Sequence, residues 1–249
     1  MRKERPLMAY LEVKDINKSF GHVQALEGAS LMSYRGEVLA IVGDNGAGKT
    51  TLIKIISGVL QPDSGTVRIG DQTFSSLTVA KSIEAGVSTV YQDLALGNTM
   101  DVASNLFLGR ELTKWGFLRK KEMRKQSEEL LKSLDIRIPD VTVPVGNLSG
   151  GQRQGVAVAR LINQGGKVFI FDEPTAAMGI SETNAVLKLI RRLADDGYAV
   201  IVISHNLPQV FSIADRICVM RHGNVITEKR TDETSMDEIV SLITGAISV

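Results

Sequence analysis

Val38-Leu39-Ala40-Ile41-Val42-Gly43-Asp44-Asn45-Gly46-Ala47-Gly48-Lys49-Thr50 carries the strongest structural signal in the chain. Five consecutive apolar residues predict a strand buried on both faces. A glycine-rich turn follows, and a helix is expected over residues 50–57, closed by Gly58. In that setting the glycines let successive backbone N–H groups turn inward and make an anion nest at a helix N-terminus. The spacing is that of a P-loop: Lys49 reaches the β- and γ-phosphates of a nucleotide, and the Thr50 hydroxyl ligates Mg²⁺.

Outward from this loop, three further apolar runs read as buried strands: residues 168–171, 199–203 and 217–220. A helix is expected over 181–196, with Ser181 as its cap and Gly197 as its stop. Weaker strand signals lie at 11–16, at 66–69 after the turn Pro62-Asp63-Ser64-Gly65, and at 87–91. Alternating strand and helix predicts an α/β fold with a mainly parallel sheet covered on both faces. From residue 93 to 162 the character turns helical, with leucines and charges on separate faces over 122–134, and this region reads as an insertion into the sheet domain.

The first of those runs ends in Asp172-Glu173. In parallel sheets ligands gather beyond the carboxyl ends of strands, so this pair is expected beside the glycine loop. Asp172 would hold Mg²⁺ through water and Glu173 would polarise an attacking water, because phosphoryl transfer is mostly alignment plus electrostatics. Between the two segments stands Leu148-Ser149-Gly150-Gly151-Gln152, before a helical run over 153–162. Ser149 suits a helix cap, and the glycines expose backbone N–H groups that can serve as a second anion site.

Composition narrows the classes. At 249 residues with a net charge of +1, nothing electrostatic demands nucleic acid. The basic cluster Arg119, Lys120, Lys121, Arg124, Lys125 runs into Glu128 and Glu129 and reads as a solvated helix face. One cysteine, Cys218 in an apolar run, excludes an internal disulfide and a cysteine-zinc cluster. The N-terminus lacks the apolar core of a signal peptide, and no apolar run approaches the roughly 20 residues that span a bilayer.

On these motifs the sequence resembles the ATP-binding cassette (ABC) ATPase family over nearly its whole length. Residues 43–50 resemble its Walker A, 148–152 its signature loop and 168–173 its Walker B. The resemblance implies a P-loop NTPase with an N-terminal antiparallel β subdomain and an inserted α-helical subdomain. A single domain would cover 8–249, with 8–92 and 163–249 forming the core and β subdomain and 93–162 the helical one. It implies that Gln92 senses the γ-phosphate and ligates the metal with Thr50 and Asp172, that Phe20 stacks on adenine, and that His205 steadies the transition state beside Glu173. ATP contacts would come from Phe20, Gly43, Asn45, Gly46, Gly48, Lys49, Thr50 and Thr51. Ser149, Gly151 and Gln152 would reach the nucleotide of a paired cassette, in a homodimer or with a homologue. One departure stands out: after Walker B the family's usual aspartate is replaced by glycine in Ala176-Ala177-Met178-Gly179. That loss bears on coupling between paired sites.

The wider wording resembles the sugar-importer ATPases. It implies a peripheral subunit on the cytoplasmic side of a bacterial inner membrane, bound to permease subunits and indirectly to a solute-binding protein, importing a monosaccharide such as ribose, xylose or fructose. Residues 93–109 would dock the permease, with Leu94, Leu96, Met100, Leu106 and Phe107 making that surface partly apolar. A soluble ABC ATPase acting on DNA or ribosomes and a non-hydrolysing dimerisation module are the alternatives. The first normally carries coiled coils, zinc modules or a second cassette, and the second sits poorly with Glu173 and His205.

Overall fold

A computed structural model describes residues 9–91, 94–176 and 178–247. The chain opens with two long strands, β1 (Ala9–Phe20) and β2 (Val23–Tyr34), paired antiparallel. β3 (Val38–Val42) has all five residues buried and leads through the glycine loop into α1 (Lys49–Ile56). β4 (Ser64–Ile69), β5 (Gln72–Phe74), α2 (Val79–Glu84) and β6 (Val87–Val90) follow. Next come α3 (Val102–Leu106), a small hairpin of β7 (Thr113–Lys114) and β8 (Phe117–Leu118), α4 (Lys120–Ser133) and α5 (Gly150–Asn163). β9 (Val168–Asp172), α6 (Ile180–Asp195), β10 (Ala199–Ile203), α7 (Leu207–Ile213), β11 (Arg216–Arg221), β12 (Asn224–Arg230) and α8 (Met236–Thr244) complete the described chain.

The main sheet has the order β12-β11-β3-β10-β9-β6. β3, β9, β10 and β11 pair in parallel, and β12 closes one edge antiparallel to β11. A second sheet, β2-β1-β4-β5, is antiparallel throughout. The α/β fold class expected from the alternating runs is therefore the one observed.

Strand alternation explains how the main sheet is buried twice. Successive side chains on a strand point to opposite faces. Leu39 and Ile41 of β3 join Ile201 and Ile203 of β10 and Cys218 and Met220 of β11 on one face. That face packs on Leu52, Ile53, Ile55 and Ile56 of α1 and on Leu11, Val13 and Leu31 from the antiparallel sheet. Ala40, Val42, Ile217 and Val219 point the other way, against Leu207 and Val210 of α7 and Ile239 and Leu242 of α8. Cys218 is a buried core residue, and burial pushes its thiol up out of its ordinary titration range.

Contacts divide the chain into two units. One comprises Met1–Thr89, Lys167–Glu173 and Ile190–Val249 and holds both sheets except the last residue of β6. The other comprises Val90–Gly166 and Pro174–Leu189, where α3, α4 and α5 pack on one another. The boundary falls inside α6.

Several local expectations need correction. Ser181 is not the cap of α6: the helix starts at Ile180, and the Glu182 carboxylate instead accepts the Gly179 N–H at 3.2 Å. A carboxylate in the first turn satisfies an orphan donor and opposes the helix dipole, which a serine hydroxyl two residues inside cannot do. Leu106 and Phe107 are core residues of their unit rather than docking surface, whereas Leu94, Leu96 and Met100 are half-buried. β2 escapes sequence reading because its buried positions 29, 31 and 33 alternate but include Ser33, while Val23 and Met32 are exposed, so residue type does not follow the period-2 burial.

Candidate functional site

The glycine loop is built by close backbone approach. Gly43 and Gly48 have φ of 155° and 100°, inside the left-handed half of conformational space. A Cβ on Gly43 would lie 2.2 Å from the Met220 carbonyl oxygen; one on Gly48 would lie 2.7 Å from that of Ala25. Neither backbone can yield, so the loop tolerates no side chain there. The Ala47 N–H donates to the Asp44 carbonyl at 3.1 Å, turning the chain, and α1 begins immediately after Gly48. Lys49 extends along the loop and donates to the carbonyls of Gly43 and Asp44 at 2.6 and 2.8 Å. Its ammonium is held where a bound phosphate would exchange those carbonyls for a full negative charge. Burial lowers the Lys49 pKa, while Glu173, Asp44 and Asp172 pull it back up. Asn45 and Thr50 are exposed, and Thr51 is half-buried.

At the ends of the parallel strands the same unit presents two carboxylates. The Asp172 carboxyl sits above its ordinary range, first because it is half-buried and second because Glu173 lies beside it. A divalent cation would relieve both effects, and a hydroxyl plus a carboxylate is the hard-oxygen donor set that Mg²⁺ prefers. No group of three or more acidic, histidine or cysteine side chains placed to hold a metal ion occurs among the described residues.

Glu173 adopts φ 48°, an unusual conformation for a residue with a side chain. Its N–H donates to the Ile203 carbonyl at 3.0 Å, and its carboxylate turns to the end of β10. There Oε1 accepts the His205 backbone N–H at 3.1 Å and meets His205 Nδ1 at 2.8 Å. A carboxylate oxygen only accepts, so Nδ1 carries the proton, and Nε2 is left facing outward on a ring that is 79% exposed. Glu173 is itself only 25% exposed. Oε1 is thus held by both the backbone N–H and the ring of the histidine.

Phe20 ends β1 and is 48% exposed, with Lys18 Nζ 5.6 Å from its ring centre. Its position depends on Asp63, which the sequence showed only as part of a turn. The Asp63 carboxylate accepts from Lys18 Nζ at 2.7 Å and from the Ser19 N–H at 2.6 Å, tying down the strand end that carries the ring. No local sequence signal marks this, because the partners are more than forty positions apart.

In the second unit the serine-glycine-glycine-glutamine segment forms the expected cap and more. Ser149 Oγ accepts the Gln152 N–H at 3.3 Å, and Gln152 Oε1 accepts the Ser149 N–H at 3.0 Å, a complete capping box on α5. Gln152 Nε2 also donates to the Arg137 carbonyl at 3.0 Å. Its amide is therefore engaged locally at both its oxygen and its nitrogen. Further along α5, Arg160 donates to the carbonyls of Leu94 and Ala95 at 3.1 and 2.9 Å, fixing the segment that follows Gln92. Gln92 itself lies outside the described residues, as does Ala177 of the altered loop. His22 and His222 are exposed, and Gly223, next to His222, donates its N–H to the Ala47 carbonyl of the glycine loop at 3.2 Å.

Comparison with known proteins now bears on this geometry. The family model described as ABC transporter matches residues 26–176. The chain belongs to the ABC transporter family. It is 48% identical over 237 residues to the xylose/arabinose import ATP-binding protein XylG of Sulfolobus acidocaldarius, covering 94% of each chain. It is 42% identical to the fructose import ATP-binding protein FrcA of Rhizobium meliloti, over 95% of this chain and 94% of that one. Among solved structures, the ADP conformation of an ABC transporter cassette aligns with a TM-score of 0.80 at 28% identity, covering 95% of both chains. A dimeric post-hydrolysis cassette bound to ADP and Pi aligns at 0.74 with 25% identity, over 89% of this chain and 98% of that one. An ABC cassette binds adenine nucleotide and couples its hydrolysis to transport.

Proposed function

We propose that this chain is the ATP-hydrolysing subunit that powers import of a sugar, in particular a monosaccharide, through a membrane permease. The observation that carries it is the Glu173–His205 pair beside an intact P-loop, in a chain similar end to end to sugar-import ATP-binding proteins. Phe20 stacks on the adenine, the glycine loop and Lys49 hold the phosphates, and Asn45, Gly46 and Thr51 contribute around them. Thr50, Asp172 and Gln92 hold Mg²⁺, which supplies charge neutralisation on the phosphates. Glu173 orients the attacking water and takes its proton at Oε2. His205 keeps that carboxylate aimed.

Two cassettes close on two nucleotides, and Ser149, Gly151 and Gln152 of each complete the site of the other. Residues 93–162 act as the helical subdomain that receives the permease, within a single cassette spanning 8–249, and a solute-binding protein selects the sugar outside. The subunit works on the cytoplasmic face of the membrane; no helix among the described residues is long and apolar enough to cross it. The test is reconstitution of the purified chain with its co-purifying permease in lipid discs. Mg·ATP hydrolysis should rise several-fold when the sugar-loaded binding protein is added. Hydrolysis indifferent to every permease and sugar would sink the transport reading.

A further inference from the structure

The β7–β8 hairpin has a composition that neither folding nor nucleotide chemistry explains. Thr113 pairs with Leu118 and Lys114 with Phe117, and the Arg119 N–H closes the base on the Leu112 carbonyl at 2.8 Å. The two-residue turn is Trp115-Gly116, with φ of 54° and 80°. Asn, Asp or Gly is the relaxed choice at the first of these positions, and a bulky aromatic is strained there. Yet the chain places its one tryptophan at that point and leaves it 88% exposed. Phe117 is 80% exposed, and Leu118 and Leu108 are exposed as well.

The charge around this tip is one-sided. Residues 110–125 hold seven Lys and Arg against two Glu, a net +5 in a chain whose total is +1, so the remainder carries −4. Arg119 pairs with Glu122 and Lys125 with Glu129, but Lys114, Lys120 and Lys121 enter no ion pair among the described residues. A local positive field matters here because charges act over about 10 Å at ordinary ionic strength; Glu128 and Glu129 temper it at the Lys125 end of α4, whereas Lys114, Lys120 and Lys121 lie back towards the hairpin.

From the exposed aromatic tip ringed by unpaired lysines, we propose that this hairpin docks the cassette on an anionic phospholipid surface. Trp115 and Phe117 would enter the headgroup layer, and Lys114, Lys120 and Lys121 would face lipid phosphates. Tryptophan at the water–lipid boundary with cations beside it is the pattern of interfacial anchoring. Aromatic and basic side chains also suit single-stranded nucleic acid, but that requires a groove along which a strand can run. Two exposed rings at the tip of a short hairpin make a wedge rather than a track.

Because Trp115 is the sole tryptophan, its fluorescence reports the hairpin directly. The purified chain is titrated with phosphatidylcholine vesicles containing one-third phosphatidylglycerol, with pure phosphatidylcholine vesicles, and with a single-stranded oligonucleotide. Anionic vesicles should shift the emission to the blue and shield it from acrylamide. Pure phosphatidylcholine should do neither, and 1 M salt should reverse most of the effect. The triple variant Lys114→Gln, Lys120→Gln, Lys121→Gln should lower the vesicle partition coefficient by about a hundredfold, at roughly fivefold per lysine. Phe117→Ser should lower it too, by sedimentation as well as by fluorescence. Both variants should keep the wild-type melting temperature and basal Mg·ATP hydrolysis. No spectral change on anionic vesicles, undiminished binding by either variant, or binding to the oligonucleotide alone would overturn the proposal. So would loss of permease capture by these variants in micelles free of anionic lipid, which would make the hairpin a protein-docking element. Vesicle binding needs neither permease nor turnover, so this proposal and the transport reading fail separately.

Discussion

The Glu173 side chain has two jobs that one substitution separates. Its Oε1 is occupied by His205, and on the proposed mechanism Oε2 would serve the water. Glu173→Gln keeps an oxygen acceptor for His205 but removes the base. Steady-state hydrolysis should fall at least about a hundredfold, the usual worth of a positioned general base, while nucleotide affinity persists. Phosphate release and nucleotide binding measured on one preparation check this, and wild-type turnover in the variant would remove Glu173 from the mechanism. Phe20→Ala should raise the ATP Michaelis constant by roughly fivefold to a hundredfold, since base stacking is worth about 1–3 kcal/mol, with a smaller change in kcat. Its support can be probed by pH. Hydrogen bonds from Lys18 and the Ser19 N–H hold the Asp63 carboxyl below its ordinary value of 3.8. Its folded pKa is thus lower than its unfolded one. The stabilisation is present above pH 3.8 and is lost as pH falls through the folded pKa. Thermal melts of wild type and Asp63→Asn should therefore differ at neutral pH and converge in acid.

Among the elements, α5 combines a structural and a functional end. The Ser149–Gln152 capping box satisfies two orphan N–H groups, and Ser149→Ala should cost about 1 kcal/mol of stability as well as activity. Ser149→Asn separates the two, because asparagine caps as well as serine but cannot place a hydroxyl proton at the helix start. The melting temperature should stay near wild type while permease-stimulated hydrolysis drops; equal activity would confine Ser149 to capping. The start of α6 shows a related economy. Where the family's aspartate is replaced by Gly179, the Glu182 carboxylate reaches back to the Gly179 N–H. A Cβ at Gly179 would meet nothing closer than that carboxylate at 3.7 Å, so Gly179→Asp is sterically permitted but sets two acids together. It should fold with a melting temperature near wild type, because capping of the helix start by the new carboxylate offsets its repulsion from Glu182, each being worth about a few tenths of a kcal/mol.

For the whole molecule, a cassette that presents its P-loop in one unit and its serine-glycine loop in another is expected to hydrolyse ATP as a pair. Specific activity should rise with protein concentration until dimers saturate, and Glu173→Gln with ATP should elute as a dimer in gel filtration. Elements whose signal is local are legible along the chain without any tertiary contact. β3, β9 and β10 are runs of apolar residues long enough to be buried on both faces, the glycine loop has a fixed spacing, and the Ser149 cap lies three residues from its partner Gln152. Those signals also carried the P-loop, the strand-end carboxylates and the ABC resemblance. Tertiary structure alone decided what depends on contacts distant in sequence. Met220 and Ala25 carbonyls make Gly43 and Gly48 obligatory, Asp63 anchors the strand end of Phe20, and burial turns Leu106 and Phe107 from surface to core. It also decided that His205, thirty-two positions from Glu173, locks that carboxylate, because parallel pairing of β9 with β10 ends both strands side by side. A residue's neighbours along the chain set its local conformation; only the packed sheet sets which distant backbone or charge it meets.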